Sequence, residues 1–228
     1  MHIKPRSTTS LMTRAAIAAL SAASLITLSA CATEDQNADQ TEQDTVTLNT
    51  ATEPDTTPGA MDGDAELSAS VINAEDANLG SVNFNEEDGA VQIDLELSGL
   101  EPGFYGLHIH QIGECETDSA APDDPENTGD FLSAGSHIGA GDAEHPDHPG
   151  DLPQLLVKES GEAVMSFETD RLTLADLSDE DGAALMIHSD PDNYANIPER
   201  YAAEGADDDS RSTGDAGSRL ACGVIATS

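Results

Sequence analysis

Basic residues are scarce in this chain of 228 residues, where Lys and Arg number eight against 45 Asp and Glu. Three of the eight, Lys4, Arg6 and Arg14, fall in the first fourteen positions, which hold no acidic residue. Beyond Cys31, five basic residues face all 45 acidic ones, a net charge of −40. A surface of that sign repels phosphate backbones and anionic headgroups, which excludes nucleic acid and anionic lipid as electrostatic partners. The same surface fits a protein adapted to high salt, or simply an acidic surface that keeps the protein soluble. Long apolar runs are also lacking. Ala15–Leu28 carries no charge but is too short and wrongly flanked to be a stable spanning helix. No internal repeat and no convincing long amphipathic helical pattern is present, which argues against solenoids and helical bundles.

What the N-terminus does have is ordered. A basic start, the apolar run and Leu28-Ser29-Ala30-Cys31 follow one another, the pattern of a secretory signal over residues 1–30. Its end resembles the lipobox of bacterial lipoproteins. That resemblance implies that Cys31 is lipidated, becomes the new N-terminus and anchors an exported chain to the cell envelope. An ordinary cleavage site with a cysteine nearby is the alternative. From Ala32 to Glu66 there are ten acidic residues, no basic ones and no hydrophobic periodicity. Such a stretch buries too little to offset its ordering entropy, so residues 31–66 read as an anchored, disordered tether. Of three cysteines, Cys115 and Cys222 then remain. In an exported, oxidising setting a disulfide between them is the default, and two buried free thiols the alternative.

The texture changes at Leu67, where a domain covering residues 67–228 begins. Short alternating or β-branched runs follow: Leu67–Asn73, Gly80–Asn85, Val91–Leu97, Phe104–Gln111, Pro153–Lys158, Ala163–Glu168, Ala183–Ser189 and Leu220–Ala226. In Val91–Leu97 the alternation is complete, as a strand with one wet face requires. About eight such strands predict an all-β, antiparallel sandwich or barrel. Glu114–Asp151 and Ser189–Arg219 are too long for hairpin turns, and long loops on a rigid β-scaffold are where sites are built.

Six histidines lie beyond the signal, all in those strand ends and loops. His108 and His110, two apart on a strand, point to one face and can reach one metal ion. Alone they could equally be surface histidines. His145, His148 and Asp151 lie within seven residues, with the nitrogen and oxygen donors of a zinc site. A polar, Pro-rich loop is the competing reading. His188 ends an apolar run, where a lone histidine is more often a satisfied core or edge residue. Together with His137 the set is richer than chance placement supplies, and imidazole ligates copper and zinc alike.

Four segments carry a family resemblance. Gly106–Cys115 (GLHIHQIGEC) looks like the first copper-binding motif of copper–zinc superoxide dismutases. Ser133–His137 (SAGSH) is similar to their bridging-histidine motif, His148–Leu152 (HPGDL) to the end of their zinc loop, and Gly214–Ile225 (GDAGSRLACGVI) to their C-terminal signature. Met186–Tyr201 looks most like exported bacterial members. The resemblance implies an eight-stranded antiparallel Greek-key β-barrel with two long functional loops. It implies copper on His108, His110, His137 and His188, with His137 shared with zinc, whose other ligands are His145, His148 and Asp151. It further implies that Asp192 hydrogen-bonds a ligand of each metal, that Cys115 and Cys222 form the intrachain disulfide, and that Arg219 guides and holds the substrate anion. Superoxide is then the substrate, converted to dioxygen and hydrogen peroxide, with Arg219 and His137 as the catalytic residues.

The chain departs from the family pattern in two places. His137–Asp151 is short and reads Ile138-Gly139-Ala140-Gly141 where the family often has an aromatic-Asn-Pro sequence, so His145 is a less secure zinc ligand than His148 and Asp151. Asp207-Asp208-Asp209 lies in the loop that would guide an anion, with only Arg211 and Arg219 nearby. A non-enzymatic copper- and zinc-binding lipoprotein is the main alternative, although it leaves Arg219 unexplained. Monomer and homodimer both stay open.

Overall fold

The computed structural model describes residues 65–228. The signal, the Cys31 anchor and all but the last residues of the tether lie outside the described residues. The strands are β1 (Leu67–Asn73), β2 (Asn78–Glu87), β3 (Ala90–Ser98), β4 (Gly103–Tyr105), β5 (Leu107–His110), β6 (Ser119–Ala121), β7 (Asp124–Gly129), β8 (Leu155–Val157), β9 (Glu162–Thr169), β10 (Ala183–His188) and β11 (Arg219–Thr227). Two short helices, α1 (Leu174–Leu177) and α2 (Asp208–Thr213), and a 3₁₀ turn at Leu132–Ala134 complete the described elements. Every run read as a strand contains one, and Phe104–Gln111 is broken in two at Gly106. A Cβ on Gly106 would press on the Ala216 methyl at 2.7 Å, so the break is where the last loop packs against the barrel.

Seven strands form one antiparallel sheet in the order β5-β10-β11-β1-β2-β3-β9. β4 and β8 pair separately, Phe104 opposite Leu156. β4 runs on into β5 and β8 turns tightly into β9, where Lys158 N donates to Glu162 O at 2.8 Å. The ribbon therefore bridges the two ends of the sheet and curls it into the expected β-barrel, which removes the edges that an open sheet leaves unpaired. Inside, Val91, Ile93, Leu95 and Leu97 of β3 are buried and pack in one cluster with Val82, Phe84, Leu107, Ile109, Leu185 and Ile187. Each such side chain contributes roughly 1.5–3 kcal/mol by leaving water.

β5 and β10 are buried on both faces. Leu107, Ile109, Leu185 and Ile187 point into the barrel, while Ala184 and Met186 point outward into a second cluster with Phe131, Ala134 and Cys222. The loop from Glu114 to Asp151 covers that outer face. It also contains the β6–β7 hairpin, which the sequence hid because β7 is exposed along nearly its whole length and shows no alternation. The Cys115–Cys222 disulfide, with Cα atoms 5.6 Å apart, ties the root of this loop to β11.

Candidate metal centre

The outer face of β5 and β10 is where the histidines gather. His108 lies opposite Met186 and His110 opposite Ala184, so both imidazoles stand on the same side as His188 at the end of β10. The long loop then closes over the free side of β5. Its two ends pair with that strand, His137 opposite His110 and Asp151 opposite His108. Ile109 N donates to Gly150 O at 2.8 Å and Ile138 N to Ile109 O at 2.9 Å. A side chain on Gly150 would run into the Ile109 carbonyl, so glycine is what lets the loop end lie this close. His137 and Asp151, 14 positions apart, thus stand at neighbouring points, and a short loop suffices to bring His145 and His148 back over them.

Among the described residues five imidazoles keep one buried nitrogen without a hydrogen-bond partner, and four of these converge: His108 Nδ1, His110 Nε2, His137 Nε2 and His188 Nε2. These four residues offer donor atoms within 4.8 Å of one another. Their other nitrogens are all engaged. His108 Nε2 is 2.8 Å from Asp192 Oδ2, His110 Nδ1 is 2.8 Å from Gly135 O, His188 Nδ1 is 3.3 Å from Gly217 O, and His137 Nδ1 is 2.8 Å from Asp151 Oδ1. Buried polar atoms are rarely left unpaired, and four converging imidazole lone pairs form a donor set suited to copper. The outer hydrogen bonds fix which nitrogen faces the shared point.

The second donor set surrounds Asp151. His137 Nδ1, His145 Nδ1 and His148 Nδ1 lie 2.8, 3.0 and 3.2 Å from its carboxylate oxygens. Three nitrogens around one carboxylate match the ligand number and types of a closed zinc site. Both loop histidines stand against this carboxylate. His145 has both ring nitrogens against carboxylates, its Nε2 being 2.9 Å from Asp192 Oδ1. Its Nδ1 is close to Asp151 yet poorly aligned for a hydrogen bond. His148 stands outside the second group of donor atoms that lie within 4.8 Å of one another, which joins His108 with His137, His145 and Asp151. That grouping arises because Asp192 draws His108 and His145 together. His148 Nδ1 also reaches Asp151, with its Nε2 3.1 Å from Ala143 O. The short loop loses no donor.

Arg219 reaches the same face through an irregularity in pairing. Met186 lies opposite Cys222 and Ile187 opposite Ala221, but His188 lies opposite Arg219, so Leu220 is an extra residue in β11. Strict alternation from outward-facing Cys222 would aim Arg219 into the barrel. The bulge turns it out beside His188 while Leu220 packs on the core. The guanidinium donates to Phe131 O and Gly135 O at 2.5 Å each. Gly135 O therefore serves both Arg219 and His110, and its φ of 72° and ψ of −150° are open to glycine alone. Sequence reasoning missed these carbonyls, since a backbone acceptor has no residue type; Gly135 inside the histidine motif was the one available signal. Burial lowers the Arg219 pKa to about 10, which leaves it a cation at neutral pH.

A cleft of about 880 Å³ opens onto His110, His137, His188 and Arg219. Asp130, Glu144 and Asp208 stand on its wall with Arg211. Arg211 is 3.5 Å from Asp208, an exposed pair that contributes little.

Burial, reinforced by neighbouring imidazoles and Arg219, holds His110 well below the usual histidine range, and burial followed by His108 and His137 does the same to His188. Burial lowers His137 to about 4 despite its bond to Asp151. These rings are neutral and ready to ligate. Burial would also lower His145, but Asp151 and Asp192 outweigh it and raise the ring to about 9. In metal-free protein the unfolded chain takes up protons below pH ~6.5 that native His110, His137 and His188 refuse. Stability is then lost as pH falls, by about 1.4 kcal/mol per pH unit for each proton. His145 acts oppositely: its contribution is full below pH ~6.5 and lost as pH rises through about 9. The denaturant midpoint of chelated protein is expected to peak near pH ~6.5. A flat profile from there to alkaline pH would contradict the two carboxylate contacts of His145.

Comparison with known proteins agrees with this centre. The family model described as copper/zinc superoxide dismutase matches residues 78–225. The superoxide dismutase [Cu-Zn] of Mycobacterium tuberculosis is 38% identical over 176 residues, 74% of this chain and 71% of that protein. The protein of the same description from Mycolicibacterium paratuberculosis is 41% identical over 155 residues, 64% of this chain and 68% of that one. Among solved structures, the Cu/Zn superoxide dismutase from Brucella abortus aligns with a TM-score of 0.53 at 25% identity, covering 70% of this chain and 98% of that one. Since the matched segment runs through the barrel and encloses both donor sets, the chain belongs to the copper/zinc superoxide dismutase family.

Proposed function

We propose that this chain is an exported superoxide dismutase that uses copper and zinc, and that its six clustered histidines divide between the two metals. The observation that carries this reading is the set of four unpartnered buried imidazole nitrogens facing one point beside a cationic guanidinium. His108, His110, His137 and His188 would hold copper, and His137, His145, His148 and Asp151 zinc. When bound, copper supplies a one-electron couple that oxidises one superoxide to dioxygen and, with two protons, reduces a second to hydrogen peroxide, while redox-silent zinc holds geometry. Arg219 offers a fixed fork to a small anion at the floor of the cleft. His137 Nε2 is the nitrogen that can carry a proton between the two halves of the cycle. Asp192 joins His108 to His145 and so keeps the two donor sets in register.

The Leu28–Cys31 segment supports lipidation at Cys31 and an extracytoplasmic place in a bacterial envelope, with residues 31–66 as tether. Among the described residues no helix is long and apolar enough to cross a membrane. A dismutation assay on the copper-loaded protein, beside Arg219→Ala and Arg219→Lys, tests the assignment. Steering groups of this kind change on-rates by about 10- to 1,000-fold. The Ala variant is expected to lose at least about tenfold in kcat/KM at unchanged copper content, and the Lys variant less. A copper-replete but inactive wild type would favour metal buffering instead.

The acidic surface gives a companion expectation. Around the cleft Asp130, Glu144 and Asp208 oppose two arginines, so the local field does not favour an approaching anion. At about 1 M salt the Debye length is about 3 Å, and the repulsive field is screened. Activity should therefore stay level or rise as salt is added. A steep decline would show that attraction dominates despite the charge count.

A further inference from the structure

Asp192 joins the two donor sets, yet it stands on a loop outside the barrel, and a carboxylate on a loop needs something to hold it. Three contacts do so. Tyr194 N donates to Asp192 Oδ1 at 2.7 Å. Gln154 Nε2 donates to the Asp192 backbone carbonyl at 3.1 Å, and Gln154 N donates to Tyr194 Oη at 2.9 Å. Gln154 directly precedes β8, so it belongs to the rigid barrel rather than to either loop. The Tyr194 ring also lies nearly parallel to the imidazole of His145, at 12° with centroids 6.2 Å apart.

The backbone at this point is costly to maintain. Tyr194 and Ala195 follow one another with φ of 53° and 52°, a left-handed conformation that residues other than glycine avoid. Such geometry persists where surrounding contacts over-determine it, and it gathers at functional sites. Here the contacts are the three above together with Ala195 N donating to Asn193 Oδ1 at 2.8 Å. The strained turn is what lets the Tyr194 N–H face back to the Asp192 carboxylate while its ring faces His145. Neither residue touches the donor point, so each acts through another group.

We propose that Tyr194 and Gln154 form a brace that positions Asp192 and His145, and thereby sets zinc retention and the registry of the two metal sites. This rests on the zinc reading above. The brace acts on zinc more than on copper, because only the zinc ligand His145 loses two supports when it goes, its stacked ring and its oriented carboxylate partner. Three of the four copper-set histidines take their outer hydrogen bonds elsewhere, from Gly135 O, Gly217 O and Asp151.

The test is a double-mutant cycle on the copper-loaded protein, reading zinc affinity by competition with a coloured chelator and copper geometry by electron paramagnetic resonance. Loss of outer partners of metal ligands typically costs 10–100-fold in affinity. Tyr194→Leu is expected to weaken zinc by about that factor, and Tyr194→Phe, which keeps the ring but loses the Gln154 contact, by less. In an Asp192→Asn background Tyr194→Leu should cost less than about threefold, because coupled residues are not additive. Gln154→Leu removes the Nε2 donation to the Asp192 carbonyl but keeps the backbone donation to Tyr194 Oη, and it too should weaken zinc by less than Tyr194→Leu does. Copper content should hold throughout, with the resonance spectrum shifting only as zinc is lost. Additive losses of Tyr194→Leu and Asp192→Asn, with wild type binding one zinc per chain, would overturn the brace alone. A wild type that binds no zinc would overturn the zinc site and the brace with it.

Discussion

Replacing His137 with alanine should lower superoxide dismutation by at least about a hundredfold and remove zinc in the same step. Even partners that merely orient a ligand cost 10–100-fold when lost, so a ligand common to both sets sits at or above the top of that range. The structure gives the reason in two atoms of one ring. Nε2 belongs to the four unpartnered nitrogens and Nδ1 is 2.8 Å from Asp151 Oδ1. His148→Ala is the informative control. It touches only the Asp151 set, so zinc should fall while copper stays and activity drops less than about tenfold. Both substitutions lie on the outer face of the barrel, away from the Leu and Ile side chains of the core, and thermal unfolding can verify that the fold survives. His137→Ala retaining a tenth of wild-type activity, or one zinc per chain, would sink the shared-ligand assignment.

Removing the disulfide should have the largest effect on stability. Cys115 and Cys222 are separated by 107 positions, and closing a loop near 100 residues is worth up to about 4.7 kcal/mol of unfolded-chain entropy. We expect Cys115→Ser/Cys222→Ser to lose roughly 3–5 kcal/mol, read as a lower denaturant midpoint of the chelated protein. Activity should suffer too. The bridge ties β11, which carries Arg219, to the loop whose Phe131 and Gly135 carbonyls hold the guanidinium. The double variant should therefore show a raised KM or lowered kcat/KM even when folded and copper-replete. A stability loss below about 1 kcal/mol would mean that the covering loop holds itself in place without the bridge.

Both expectations begin with residues that were visible in the chain. Period-two alternation gave the strands their positions, because a strand with one buried face writes that face into every second residue. The β6–β7 hairpin escaped, since an exposed ribbon has no face to write. Most donor residues were legible because imidazole, carboxylate and thiol chemistry is carried by side-chain type. What spacing left unsettled was His145. The short loop made it look insecure, and the fold holds the two loop ends side by side on β5, where His137 and Asp151 each pair with a neighbouring histidine strand position.

Sequence alone thus determined the class of fold, the donor inventory, the cysteine pair and the strongly acidic surface, all of which depend on residue type and local period. Tertiary structure decided orientation. It chose which nitrogen of each ring stays free, through backbone carbonyls of Gly135, Gly217 and Ala143, whose direction no residue type encodes. It turned Arg219 outward by one unpaired residue in β11, since side-chain direction follows strand register and register is a property of pairs. It also set Tyr194 against His145 and Gln154, contacts made across 40 and more positions. Such relations depend on where distant backbone segments meet, and local sequence carries no record of that.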